Sequence, residues 1–223
     1  HNEDEELFAY IPYRHVDRAG FVSELIPHDA VQRLERSVLP GMYGELVQGD
    51  LKNTLATLYL DARDEVMEPA RLRREMAKFK KTNITRSKVG MPGFTMGFST
   101  LASFFVPTVL KHINVAKMAR KEEENIMYHG TPALMVLGVD TPARDRDILA
   151  GRSMARCMLV AGALGYGTSV IASAVVSEYY RDQLREAVRW PLQIRPVIML
   201  RVGRSVNEPK PSPRLSVQDV ATV

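Results

Sequence analysis

The chain has 223 residues, 45% of them hydrophobic and 25% charged, which is the composition of a globular protein rather than of a disordered or fibrous one. That length can build one sizeable α/β domain or two small halves. Thirty basic residues against twenty-six acidic ones give a formal net charge of +4. An excess this small argues against a nucleic-acid-binding protein, although part of it could face an anionic cofactor.

Cys157 is the single cysteine, so the chain cannot form an internal disulfide. This suits a reducing compartment, and we expect a cytoplasmic protein. The residues that follow, Met158–Val160, are apolar and predict a buried thiol rather than a nucleophile. The chain starts at His1 instead of methionine, and we therefore expect it to lack residues at its N-terminus.

Three helices are predicted in the first eighty residues. The first opens at Pro27-His28-Asp29, the second follows Asp50, and the third begins at Pro69, which is a favourable residue for a first turn. A run of basic residues on the third helix is expected to be a solvated face. It comprises Arg71, Arg73, Arg74, Lys78, Lys80 and Lys81.

The stretch Val89–Leu110 is apolar for about twenty residues, the length that a membrane span requires. It also contains Pro92, Gly93, Gly97 and Pro107, which interrupt a span and favour a loop followed by a helix. We expect a lid-like insertion at about 89–125 that covers a pocket or a partner, and no membrane contact. Four aromatic side chains could shelter a flat ligand: Phe94, Phe98, Phe104 and Phe105.

The C-terminal half follows the order strand, long helix, glycine turn, short apolar segment, helix and strand. Ala133–Val139 is apolar throughout, as in a strand buried on both faces. The long helix ends at Leu164–Gly167, where glycine can take the left-handed conformation. Ser177 is predicted to cap the next helix. Pro196–Val202 is the second strand, and the chain from Glu208 is predicted to be an extended arm.

The glycine-ended helix Gly151–Gly167 resembles the central helix and Gly-Leu-Gly-type turn of the FMN-dependent nitroreductase superfamily. The helix Arg181–Val188, the strand Pro196–Val202 and the closing Pro213-Arg214-Leu-Ser-Val resemble the rest of that family's C-terminal half. No single one of these segments is diagnostic, so the resemblance rests on their occurring together in this order. It implies an α+β class, in which helices wrap a mixed sheet with antiparallel strands, and one domain over residues 1–223.

The segment Tyr13–Phe21 resembles the family's Arg-x-Ser-x-Arg/Lys motif, whose basic residues bind the FMN phosphate. The resemblance assigns that role to Arg14 and Arg18, while Val16 stands where the family usually has serine. Guanidinium groups suit a phosphate because they form bidentate hydrogen bonds. The resemblance of the C-terminal arm adds Arg214 to these cofactor-binding residues.

In the same family, the segment after the glycine turn passes a backbone N–H to the N5 region of the flavin. The resemblance places Ala172 and Ser173 there, where the family often has Glu-Gly, with Gly165 and Gly167 shaping the turn. We nominate no catalytic side chain, because the cofactor performs the hydride chemistry. The five histidines show no metal-ligand spacing, so no metal site is expected.

The family's Ser-x-x-Asn-x-Gln-Pro-Trp-like stretch is missing, and Leu39–Gly44 occupies its place. This pattern is most similar to the Acg-like branch, in which one longer chain holds two nitroreductase-like halves. The chain would then be the second half of such a protein. The flavin site would lie either at a homodimer interface or in an intrachain pseudo-dimer.

The resemblance implies an enzyme in which NAD(P)H reduces bound FMN and a nitroaromatic, a quinone or a similar small acceptor takes the electrons. An alternative is a flavin-binding protein with little turnover, in which the lid closes over FMN and blocks acceptors. A third hypothesis is a structural partner that has lost the cofactor. The sequence leaves the choice between NADH and NADPH open.

Overall fold

A computed structural model describes residues 3–140, 145–207 and 215–221. The helices are α1 (Glu3–Tyr10), α2 (His28–Arg36), α3 (Gly49–Val66), α4 (Ala70–Phe79), α5 (Thr100–His112), α6 (Val115–Met118), α7 (Arg120–Tyr128), α8 (Arg146–Ala163), α9 (Ser173–Val176), α10 (Glu178–Ala187) and α11 (Val217–Val220). The strands are β1 (Met42–Gln48), β2 (Lys80–Lys81), β3 (Met91–Pro92), β4 (Ala133–Asp140), β5 (Gly167–Ile171) and β6 (Ile194–Gly203). Two short 3-10 helices cover Ile11–Tyr13 and Gly93–Met96.

Four strands form a sheet with the order β1-β4-β6-β5, and every pairing in it is antiparallel. In the described ranges, parallel pairing occurs only between β2 and β3. The predicted α+β class, with antiparallel strands wrapped by helices, is confirmed.

The central strand β4 is buried on both faces, as its continuous apolar sequence predicts. Because successive side chains of a strand point to opposite faces, Met135 and Leu137 belong to one hydrophobic cluster, while Leu134 and Val136 belong to another. The sheet is therefore the middle of three layers.

Each face of the sheet is covered by its own set of helices. Residues of α1, α2 and α8, such as Leu34 and Val160, pack in the first cluster. Residues of α3, α9 and α10, such as Leu55 and Leu184, pack in the second. The second cluster also takes Met127 from α7, which places α7 against the sheet.

A third, smaller cluster lies in the segment between α3 and α7. It joins Met67, Ala77, Leu110 and Ala116, and α5 packs against α4. We call residues 67–118 the lid-side segment. Its longest helix, α5, has 13 residues, and no helix within the described parts of the chain is both long and apolar enough to cross a bilayer.

Most predicted elements are present, with three corrections. Helix α1 and strand β1 were not predicted from the sequence. The third predicted helix ends at Phe79, so Lys80 and Lys81 form a strand rather than a solvated helix face. The Ser177 side chain makes no capping hydrogen bond to α10. The predicted arm from Glu208 falls largely on residues 208–214, outside the described residues.

Candidate functional site

The segment Tyr13–Phe21, here called the arginine segment, is fixed to the sheet by backbone hydrogen bonds. The Asp17 N–H donates to the Thr168 carbonyl of β5 at 2.8 Å, and the Phe21 N–H donates to the Gly130 carbonyl at 2.7 Å. The Asp17 carboxylate accepts a hydrogen bond from the Ala19 N–H at 2.9 Å, which closes a tight turn around Arg18. The two arginines of the segment are therefore carried on an anchored loop.

A cleft of about 540 Å³ lies between the arginine segment, the lid-side segment and α7. A volume of several hundred Å³ is usual for a small-molecule or cofactor site. The arginine segment lines it with residues 14–20, the lid-side segment with residues 90–91 and 94–97, and α7 with Glu122 and Ile126.

Positively charged side chains at the cleft contact the thioether sulfurs of methionines. Arg18 donates through Nη2 to the Met91 Sδ at 3.5 Å. Lys80, from β2, donates through Nζ to the Met96 Sδ at 2.8 Å. Burial lowers the pKa of the Arg18 guanidinium, and burial together with the nearby Arg18 lowers the pKa of Lys80 to about 8.

His15 adds an unsatisfied polar atom to the same cleft. Its Nδ1 lies 2.9 Å from the Tyr13 carbonyl oxygen, so in the neutral ring Nδ1 is the donor and Nε2 the acceptor. Within the described residues, Nε2 is buried and has no hydrogen-bond partner. A buried acceptor without a partner is costly, and a ligand hydroxyl in the cleft would satisfy it.

A buried arginine of the sheet, Arg201, contacts the arginine segment. Arg201 of β6 is 3% exposed, donates to the Ala19 carbonyl oxygen and lies 5.0 Å from the centre of the Phe21 ring. Burial lowers its pKa, while the nearby Glu123 and Tyr59 favour its charged form. Arg201 thus holds the turn around Arg18 against β6.

The structure brings together some of the residues predicted from the sequence. Arg14 and Arg18 both line the cleft. Gly167 lies behind it, because a Cβ there would be 3.6 Å from the Asp17 Cβ. Gly165 takes a φ of +79° at the end of α8, as expected of a left-handed helix terminus. Arg214 lies outside the described residues.

The remaining predicted site residues lie away from this cleft. Ala172 and Ser173 follow β5 at its far end and are absent from the cleft lining. Since β5 starts beside Asp17, roughly 17 Å of extended chain separates them from the arginine segment. Among the lid aromatics, Phe94 lines the cleft, whereas Phe98, Phe104 and Phe105 expose 39%, 47% and 62% of their surface.

Glu122, Ile126 and Asn207 of the cleft lining were not predicted from the sequence, and neither was Lys80, which contacts the lining residue Met96. One feature of the sequence could have separated Lys80 from the helix. It directly follows Phe79, the last apolar residue of α4, where the helical pattern stops. The other three come from distant parts of the chain, and no local pattern brings them together.

No protein-family profile and no curated protein matches the chain. Solved structures of nitroreductases share its fold. The FMN-dependent nitroreductase NfnB from Mycobacterium smegmatis, in complex with NADPH, has a TM-score of 0.64 at 14% identity, covering 100% of this chain and 99% of that one. The FMN and NADPH-dependent NfnB from Sphigopyxis sp. strain HMH has 0.62 at 16%, covering 97% and 98%. A Bacteroides fragilis nitroreductase with bound FMN has 0.62 at 11%, covering 98% of both. At these identities the likeness shows the fold.

Proposed function

We propose that the chain is an FMN-dependent oxidoreductase of the nitroreductase type, with the FMN phosphate bound by Arg14 and Arg18. The observation that carries the proposal is the cleft itself. The cleft is lined by the arginine segment, which resembles the phosphate-binding motif of the nitroreductase family. The fold around it is shared with proteins crystallised with FMN and with NADPH. NAD(P)H is the proposed electron donor, and a nitroaromatic, a quinone or a similar small molecule the acceptor.

The residues present fit the chemistry of FMN. Guanidinium groups on an anchored loop are suited to a phosphate dianion. The orphaned His15 Nε2 can accept a hydrogen bond from a ribityl hydroxyl. Met91, Phe94 and Ile126 add apolar surface to the same cleft.

When bound, FMN supplies hydride-transfer chemistry, and the protein supplies binding and orientation. The arginine segment would hold the phosphate, while the backbone at Ala172 and Ser173 would bind the edge of the ring. A ligand that contacts both ends of β5 must be elongated, as FMN is with its ribityl chain between phosphate and ring. The small Ala172 and Ser173 side chains permit a close backbone approach.

Four further parts of the hypothesis stay predictions: a role for Arg214, a homodimer or an intrachain pseudo-dimer, the Acg-like branch, and a cytoplasmic location. Cleft residues come from four separated parts of one chain. A second copy, or a second half, would add the ring contacts that this chain's cleft does not supply.

The proposal is tested by purifying the protein with FMN and recording its visible spectrum. We expect flavin bands, bleaching by NAD(P)H, and recolouring when menadione takes up two electrons and two protons. The double variant Arg14→Gln/Arg18→Gln should bind FMN at least tenfold more weakly. The control Arg74→Gln removes an exposed arginine of α4 and should bind FMN like the unchanged protein.

Each contrary result has a definite meaning. A protein that binds no flavin under any condition contradicts the proposal. Flavin bands that persist in excess NADPH and NADH would instead favour the flavin-holding alternative. Loss of FMN binding in the Arg74→Gln control would show that the arginine effect is not specific to the cleft.

A further inference from the structure

Two cations meet where the arginine segment contacts the lid-side segment. Arg18 belongs to the first and Lys80 to the second, and the charge of Arg18 acts directly on Lys80. Each donates to the sulfur of a methionine that lines the cleft, Arg18 to Met91 and Lys80 to Met96. Arg18 therefore lines the cleft, and the Lys80 ammonium contacts Met96 of the cleft lining.

Among the described residues, neither cation is paired with an acidic side chain. In residues 3–140, 145–207 and 215–221, no ion pair involves Arg18 or Lys80, although the same ranges contain pairs such as Lys78–Glu75 at 2.8 Å. A thioether is a weak hydrogen-bond acceptor. Two partly desolvated like charges with only sulfur acceptors are unfavourable, and an anion placed between them would relieve both the repulsion and the missing hydrogen bonds.

The backbone fixes Lys80 relative to the cleft. Lys80 pairs with Met91 in the parallel β2–β3 ladder, and residues 90–91 and 94–97 of the following chain line the cleft. Gly90 has a φ of +111°, and a Cβ there would lie 2.8 Å from the Phe79 carbonyl oxygen, so β2 and β3 approach closely at this point. An anion that binds Arg18 and Lys80 together must hold this ladder against the arginine segment.

We propose that Lys80 is a third phosphate-binding residue, which reaches the cofactor phosphate from the lid-side segment and closes residues 80–97 over the bound ligand. The inference rests on the proposed function, because it takes the anion to be the FMN phosphate. It adds a residue that no motif indicates, and it makes the position of the lid-side segment depend on the phosphate rather than on the flavin ring.

The test compares FMN with riboflavin, which carries the same ring and ribityl chain without the phosphate. Titrations by flavin fluorescence are made on the unchanged protein, on Lys80→Gln and on Lys78→Gln. Lys78 is an exposed lysine of α4 paired with Glu75, which makes it a matched control. We expect Lys80→Gln to weaken FMN binding about tenfold while riboflavin binding changes less than twofold. Lys78→Gln should leave both affinities unchanged.

Hydrogen exchange gives a second readout that does not depend on activity. In the unchanged protein FMN should slow exchange in residues 80–97, riboflavin should not, and Lys80→Gln should lose the effect of FMN. The inference is overturned if Lys80→Gln binds FMN normally, or if it loses FMN and riboflavin equally, which would indicate a structural role. If the unchanged protein binds neither flavin, the proposed function itself fails.

Discussion

Arg201 is a charged residue on a strand whose neighbours in β6 are apolar. It is almost fully buried, its guanidinium contacts the Ala19 carbonyl and the Phe21 ring, and the nearby negative charge of Glu123 raises its pKa against the effect of burial. Breaking a buried charged interaction by removing one partner leaves the other partners uncompensated in a low-dielectric interior. The position therefore combines a structural role with support for the cleft.

We expect Arg201→Met to lower the free energy of unfolding by about 3 kcal/mol, because the Ala19 carbonyl loses a charged hydrogen-bond donor and Glu123 loses a nearby positive charge. Chemical denaturation measures the loss. The control is Arg204→Met, which removes an exposed guanidinium 5.3 Å from the Tyr166 ring and should cost at most about 1 kcal/mol. Equal losses in the two variants would contradict this account of Arg201.

Cys157 makes a pH-dependent contribution to stability. Burial raises the pKa of its thiol to about 11 from 9.0, while the Ser37 hydroxyl donates to its sulfur at 3.0 Å. Because the unfolded chain releases the thiol proton first, this stabilising contribution is fully present below about pH 9 and is lost as the pH rises through 11. The thiol is accordingly a buried residue, as its apolar sequence neighbourhood predicts, and no nucleophile.

The measurement is the difference in unfolding free energy between the unchanged protein and Cys157→Ala. That difference should be constant below pH 9 and should shrink by about 2–3 kcal/mol as the pH rises through 11. A constant difference over the whole range would show that the thiol ionises equally readily in both states.

The end of α8 and the start of β5 carry two glycines with different tasks. Gly165 has a φ of +79° and open space around it, so a side chain there meets only backbone strain. Gly167 is different, because its Cβ would lie 2.5 Å from the Ser205 Oγ and 3.0 Å from the Phe21 Cε1. A side chain at Gly167 therefore pushes on the arginine segment.

We expect Gly165→Ala to cost about 1 kcal/mol of stability, the strain of a left-handed alanine, and to leave FMN binding unchanged. Gly167→Ala should weaken FMN binding several-fold because Phe21 ends the arginine segment. Denaturation and flavin titration of both variants separate the two effects. The reverse pattern, with only Gly165→Ala affecting FMN, would contradict this division.

Helix α7 forms one wall of the cleft, and its C-terminus is held by a buried lysine. The Lys52 Nζ donates to the carbonyls of Met127 and Tyr128 at 3.3 and 3.0 Å. A cation at this end also suits the negative end of the helix dipole.

Lys52→Met should therefore lower stability by about 2 kcal/mol, since hydrogen bonds from charged groups contribute that much, and should increase exchange of the α7 amides. Thermal or chemical denaturation and hydrogen exchange measure both effects. Lys121→Met, at an exposed position of the same helix, should change neither. A normal α7 in Lys52→Met would show that packing alone holds the helix.

The sequence predicted the elements whose pattern is local and long. The continuous apolar run of β4, the glycine end of α8 and the strand β6 are present as expected. Strand β1 was not predicted because Gly44 and Glu45 interrupt its apolar pattern. Both residues are required by contacts with other parts of the chain. A Cβ at Gly44 would meet the Val38 side chain at 2.6 Å, and Glu45 accepts a hydrogen bond from Trp190 at 3.0 Å.

The same distinction applies to the candidate site. Arg14 and Arg18 could be predicted as cofactor-binding residues because their motif occupies a few consecutive residues. Lys80 was placed on a solvated helix face, because its proximity to the cleft depends on the pairing of β2 with β3, eleven positions later in the chain. Contacts of this kind are fixed by tertiary packing and leave no local periodicity.

At the scale of the whole molecule, the three hydrophobic clusters differ in size. Two large clusters cover the two faces of the sheet, whereas the cluster of the lid-side segment has four buried residues, Met67, Ala77, Leu110 and Ala116. Since local opening costs less where fewer apolar contacts are broken, residues 67–118 should open without unfolding the sheet.

Native-state hydrogen exchange under increasing denaturant tests this prediction. Amides of α4 and α5 should exchange with an opening free energy several kcal/mol below that of β4 and β6, whose amides should exchange only with global unfolding. Leu110→Ala should lower the opening free energy of the lid-side segment and leave that of β4 unchanged, while Leu134→Ala should lower both. A single opening free energy shared by all elements would show instead that the lid-side segment and the sheet unfold as one unit.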